Sequence, residues 1–184
     1  MEKPKKLIDE IPIEVRQYLA ASESLAKAGV QEKYPGVKNT LQAPATRQAI
    51  VRYLASKEPW ADPAPDLVMN ALAFLLQGAN AKELEAIHAL IEYPNPWVRV
   101  RLCEYMMAIY YPAHDQAAMA GLFRQMLADP DEIVRVRAAR WIKALNLASG
   151  MRPALEEWSQ SAREHQWEGA ESYQIIQGLL GHGR

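Results

Sequence analysis

The sequence predicts an all-α protein of stacked antiparallel helix pairs, about nine helices in all, and three observations carry that prediction. Proline and glycine punctuate the chain at regular intervals. The segments between them carry apolar residues at helical spacing. One block returns along the chain at offsets of 31 and 36 residues, lengths that suit a repeated helix hairpin. Val and Ile never alternate with polar residues over a run, so no strand is expected.

The first helix is expected over residues 12–27. Pro12 suits a first helical turn, Val15, Leu19, Ser22 and Ala26 share a face, and Gly29 ends it. Residues 31–43, which include Pro35-Gly36, read as a loop. Residues 1–43 therefore make a capping helix and its connection. Helices then follow closely: 44–57, with Ile50, Val51 and Leu54 as its stripe, then 65–77, then 80–92 with Asn80 as its cap. Three more occupy 96–110, 115–128 (capped by Asp115) and 131–147, so that 44–147 holds three hairpins. The tail, 148–184, supplies two capping helices over 153–165 and 170–180, and the whole chain reads as one domain.

The repeat fixes which faces are buried. Residues 94–109 realign without a gap on 130–145, so Val98-Arg99-Val100-Arg101 falls on Val134-Arg135-Val136-Arg137 and Tyr105 on Trp141. Residues 63–78 realign on 94–109, placing Leu67 on Val98, Ala71 on Leu102 and Phe74 on Tyr105. With 3.6 residues per turn, Val134, Ala138, Trp141, Ile142 and Leu145 fall on one side of their helix, as do Val98, Leu102, Tyr105, Met106 and Ile109 on theirs. A single pair cannot bury such a stripe, so the pairs must stack.

The turn Asp129-Pro130 followed by Val134-Arg135 and a run of small and large apolar residues resembles a HEAT repeat, and the resemblance covers about residues 44–147. It implies a right-handed α-solenoid. It also implies that the turn aspartate and the helix arginine lie between neighbouring repeats, where they can form a ladder. Asp129 and Arg135 match both positions. Tyr93-Pro94 with Arg99 keeps the proline and the arginine, and Asp62-Pro63 keeps the turn with Val68 in the arginine's place.

Composition bounds the rest. Hydrophobic residues at 49% and charged residues at 23% are ordinary for a globular chain. A net charge of −1 argues against a dedicated nucleic-acid binder. The single cysteine, Cys103, excludes an intrachain disulfide and reads as a small buried hydrophobe, and the cytoplasm is the default compartment. No signal peptide or membrane span is read: acids interrupt the N-terminus, and the longest apolar run, near residues 71–76, is short. His88, His114, His165 and His182 show no metal-ligand spacing, no phosphate loop precedes a helix, and Cys103 has no histidine beside it in sequence. Neither a cofactor, a metal nor a catalytic set is expected. Of the five tryptophans, Trp141 falls on the buried stripe, Trp97 sits one residue before the stripe of its own helix, and Trp60, Trp158 and Trp167 fall near helix ends or in the tail.

The surface of interest is the side of the second helices opposite the stripe, which the resemblance assigns to the concave side. It carries Met69, Asn70, Ala73 and Leu76, then Val100, Arg101, Glu104 and Met107, then Val136, Arg137, Arg140 and Lys143. It is apolar at one end and basic at the other. The expected function is a non-catalytic protein-binding module (adaptor, assembly factor, inhibitor or immunity-type protein) that holds a protein partner through Met69, Leu76, Val100, Arg101, Glu104, Met107, Arg137, Arg140 and Lys143. The alternative is a DNA-binding or DNA-repair protein of the HEAT-like alkylation-glycosylase kind, to which Trp97-Val98-Arg99 and the cluster Arg137, Arg140 and Lys143 are similar in character. The net charge opposes it, and no residue stands out as the catalytic aspartate.

Overall fold

The computed structural model describes residues 6–181 apart from residues 22, 62 and 63 and the side chain of residue 25. The turn 62–63 and His182 thus lie outside the described residues. Among the described residues every regular element is helical: twelve α-helices and three 3-10 turns, with no strand. The chain divides into two compact units, Met1–Ile109 and Tyr110–Arg184, and the division falls within the segment that the sequence reads as three repeats.

In the first unit a 3-10 turn, Leu7–Glu10, precedes α1 (Ile13–Ala20), α2 (Ser24–Lys33), α3 (Val37–Gln42), α4 (Pro44–Ala55) and the single turn α5 (Glu58–Ala61). There follow α6 (Pro65–Leu75), α7 (Ala81–Ile87) and α8 (Pro96–Tyr110), with 3-10 turns extending α6 to Gly78 and α7 to Glu92. The N-terminal stretch differs most from expectation. The helix expected over 12–27 breaks into α1 and α2, because Asn70 on α6 donates to the carbonyls of Leu19 and Ala21, at 2.8 and 3.5 Å. Those acceptors are occupied from another element where a continuing helix would have used its own amides. Most of the stretch expected as a loop over 31–43 is helical: α2 runs on to Lys33, and α3 forms because Val37 and Leu41, one turn apart, bury one face. Its length, six residues, is too short to display a helical period.

In the second unit the helices are α9 (Gln116–Leu127), α10 (Glu132–Ala144), α11 (Ala148–Glu164) and α12 (Glu171–Leu180). Here α10 packs against both α9 and α12, and α11 against both α9 and α12. The expected start of α11 at Pro153 moves back five residues. Proline lacks an amide and strips the carbonyl four residues earlier of its partner; Pro153 and Ser149 both lie on the exposed side of the helix. Trp158, expected near a helix end, is buried within α11 and donates its indole N–H to the Leu127 carbonyl at 2.6 Å.

The repeat is visible at atomic level in α8 and α10. Arg99 and Arg135 are both buried. Arg99 Nη1 donates to the carbonyls of Tyr93 and Pro94, at 2.7 and 3.1 Å. Arg135 Nη1 donates to those of Asp129 and Pro130, at 2.7 and 2.8 Å. Each guanidinium therefore ties the first turns of its helix to the backbone entering it, satisfying two carbonyls with a buried charge-assisted donor. The second arginine is further held by Glu132, at 2.8 Å, and lies 3.8 Å from the ring centre of Trp167.

Candidate functional site

A helix buried over a wide arc leaves only a narrow stripe to solvent, and that geometry sorts the expected binding residues. On α8 the buried residues are Val98, Arg99, Val100, Leu102, Cys103, Tyr105 and Met106. Val100 is only 2% exposed, which removes it from the expected binding surface. The solvent-facing strip instead runs from Trp97 through Arg101 to Ala108, with Glu104 and Met107 half-buried beside it. Arg101 and Glu104, one turn apart, form an ion pair.

On α10 the strip carries Ile133, Arg140, Lys143 and Ala144, with Val136 and Arg137 half-buried beside it. Ile133 and Trp97 occupy equivalent repeat positions and are 36% and 46% exposed. Sequence reasoning noted Trp97 as lying just outside the buried stripe and missed Ile133; their 36-residue spacing was the signal. Arg137 lies 5.7 Å from the ring centre of Trp141, which is half-buried because the arginine covers it from the solvent side. Arg140 Nη2 reaches Glu171 of α12 at 2.6 Å. Lys143 is exposed.

The apolar end of the expected face is partly covered by the chain itself. Met69 and Leu76 are both half-buried, and α1 packs on α6. Next to Met69, Asn70 holds the end of α1 and accepts from Lys27 at 3.1 Å. The N-terminal helices use this side of α6 because its Met, Ala and Leu side chains would otherwise stay in water.

A second polar constellation lies wholly within the first unit. Arg47 on α4 makes paired bonds to Glu83 on α7, at 2.8 and 2.6 Å, and donates to the carbonyls of Leu75 and Gly78, at 2.9 and 2.8 Å. The buried Tyr105 hydroxyl of α8 donates to Glu83 at 2.7 Å and accepts from the Asn80 amide at 3.1 Å. Burial, reinforced by the bond to Glu83, pushes the Tyr105 hydroxyl up to about 12. Burial alone would raise the Glu83 carboxyl, but the bonds from Arg47 and Tyr105 outweigh it and hold the group below its ordinary value. Beside this network lies an open groove of about 480 Å³ lined by Gln48, Val51, Arg52, Asn80, Lys82, Glu83 and Ala86. The partners come from positions far apart in sequence, and only Asn80, as a helix cap, was legible in advance.

Among the described residues no group of three His, Cys, Asp or Glu side chains gathers as a metal site would require, and no helix is long and apolar enough to cross a membrane. Comparison with known proteins finds no matching family model, no matching curated protein and no matching solved structure.

Proposed function

We propose that this chain is a non-catalytic, cytoplasmic protein-binding module, a short right-handed HEAT-like α-solenoid of about nine principal helices in stacked antiparallel pairs. In this reading residues 44–147 form the repeats and the terminal segments cap them, so that the chain works as one domain. The observation that carries it is a pair of repeat-related strips, one on α8 in the first unit and one on α10 in the second. An exposed apolar side chain stands on the first turn, Trp97 or Ile133, and an arginine follows one turn later, Arg101 or Arg137. Apolar anchors beside arginines are the composition of protein-binding surfaces. A repeat that preserves them on its solvent side, where packing does not require them, supports that use.

The test is capture from native lysate with the wild type and with Arg101→Glu/Arg137→Glu/Arg140→Glu. A protein retained by the wild type and lost from the variant supports the reading. Nucleic acid lost in the same way replaces it with the DNA-binding alternative, and identical material on both baits rules out these strips as the binding surface.

A further inference from the structure

The solvent strip of α10 has a charge and a shape that select one kind of occupant. Arg137, Arg140 and Lys143 supply three cations within two turns, and Ile133 adds an exposed apolar side chain at one end. From Ile133 to Lys143 the strip is about 15 Å long at 1.5 Å per residue, the reach of a three-turn helix. Three carboxylates stand near it, and all are engaged: Asp131 accepts from the Ile133 amide at 2.9 Å as the helix cap. Glu132 accepts from the Ser172 amide and hydroxyl, both at 2.9 Å, and from Arg135. Glu171 lies on Arg140.

The contacts of Glu132 and Glu171 differ in kind. Glu132 is tied to the N-terminal end of α12 and to a buried guanidinium, so it is part of the framework. The Arg140–Glu171 pair joins two side chains that are 60% and 54% exposed, and pairs so open to water contribute little stability. It shows the strip holding a carboxylate, supplied by α12, in an exposed contact.

We infer that the α10 strip is the docking site for an acidic amphipathic helix of a partner protein, and that Glu171 is an internal competitor for Arg140 which that helix displaces. Carboxylates of the incoming helix meet Arg137, Arg140 and Lys143, and an apolar side chain covers Ile133. A phosphate backbone fits less well, because the exposed apolar side chain of Ile133 would give it nothing. The inference rests on the protein-binding reading above and names the class of partner.

The probe is a fluorescein-labelled synthetic helix of about 16 residues, with glutamates on one face and a leucine stripe beside them, titrated by anisotropy against the full chain. Binding is expected to weaken at least about tenfold in Arg137→Glu/Arg140→Glu and to weaken as salt rises from about 50 to about 300 mM. Glu171→Gln is expected to tighten binding by about two- to fivefold, because it removes the competitor. Lys143→Glu, at an exposed position, is a second variant with an expected loss of roughly threefold should the double variant fail to fold by circular dichroism. Binding unaffected by these substitutions, or a duplex DNA of similar length that displaces the peptide and binds more tightly, overturns the inference. Parallel lysate capture separates the two levels. A protein lost from Arg137→Glu/Arg140→Glu, with no peptide binding, overturns the acidic class alone, whereas loss of neither protein nor peptide, in this variant and in Arg101→Glu/Arg137→Glu/Arg140→Glu, overturns both.

Discussion

The two helices that share the repeat, α8 and α10, solve the same problem with different chemistry. Both enter through a turn held by a buried arginine, and both expose an apolar side chain followed by an arginine. They part at two positions. At the large aromatic, Tyr105 is fully buried and bonded to Glu83 and Asn80, whereas Trp141 is half-buried beneath Arg137. On the solvent strip, Glu104 neutralises Arg101 on α8, whereas the equivalent residue on α10 is Arg140, whose carboxylate partner comes from α12. One repeat has invested its polar groups in an internal network; the other leaves its charge facing water. The contacts that hold the turn entering each helix are shared, and the positions that face outward differ.

The largest test of that contrast is the aromatic position. Tyr105→Ala is expected to cost about 4 kcal/mol in urea unfolding, from lost burial, the cavity and the Asn80 amide left without its acceptor, and Trp141→Ala less than half as much. Equal costs would break the distinction. Next in size, Arg99→Ala and Arg135→Ala are each expected to cost about 3 kcal/mol, since each leaves two turn carbonyls without their donor. A marginal effect at either site would mean that the shared arginine is not what holds the turn.

The network of the first unit also predicts a pH signature. The Tyr105 hydroxyl is raised in the folded state, so its contribution is fully present below pH 10 and is lost as pH climbs through about 12, on the order of 2 kcal/mol. Tyr105→Phe should therefore flatten the alkaline loss of stability, leaving the smaller part due to Tyr93, which burial also raises. Glu83 runs the other way. Its folded value is depressed, so its contribution is present above the ordinary carboxylate range and lost as pH falls through the lower folded value. Glu83→Gln should soften the acid limb of a stability–pH curve, and an unchanged limb would show that the pair with Arg47 contributes little. The smallest effect belongs to the strip: Glu171→Gln is expected to change unfolding stability by less than about 0.5 kcal/mol. A larger loss would mean that Glu171 belongs to the framework of the second unit.

Much of the helical plan was legible because local chemistry writes it. Pro44, Pro65 and Pro96 each open a helix, and Asn80 and Asp115 cap theirs through side-chain bonds to Glu83 and Ala118 amides. The buried stripes of α6, α8 and α10 also follow from spacing, with Val98, Leu102, Tyr105, Met106, Val134, Ala138 and Ile142 all buried. The candidate site was legible only in part. Arg101, Arg140 and Lys143 are exposed as expected, but Val100 is not, because periodicity marks the centre of a buried face and not how far it wraps round the helix.

By itself, then, the sequence determined that the chain is helical, where most helices begin, and which side of each repeat helix turns inward, because caps, prolines and apolar spacing act over a turn or two. The tertiary structure alone decided the break between α1 and α2, the helix α3, the burial of Val100, the joining of Arg47, Glu83 and Tyr105, and the meeting of Arg140 with Glu171. Each depends on groups brought together from distant parts of the chain, and no local period records such a meeting.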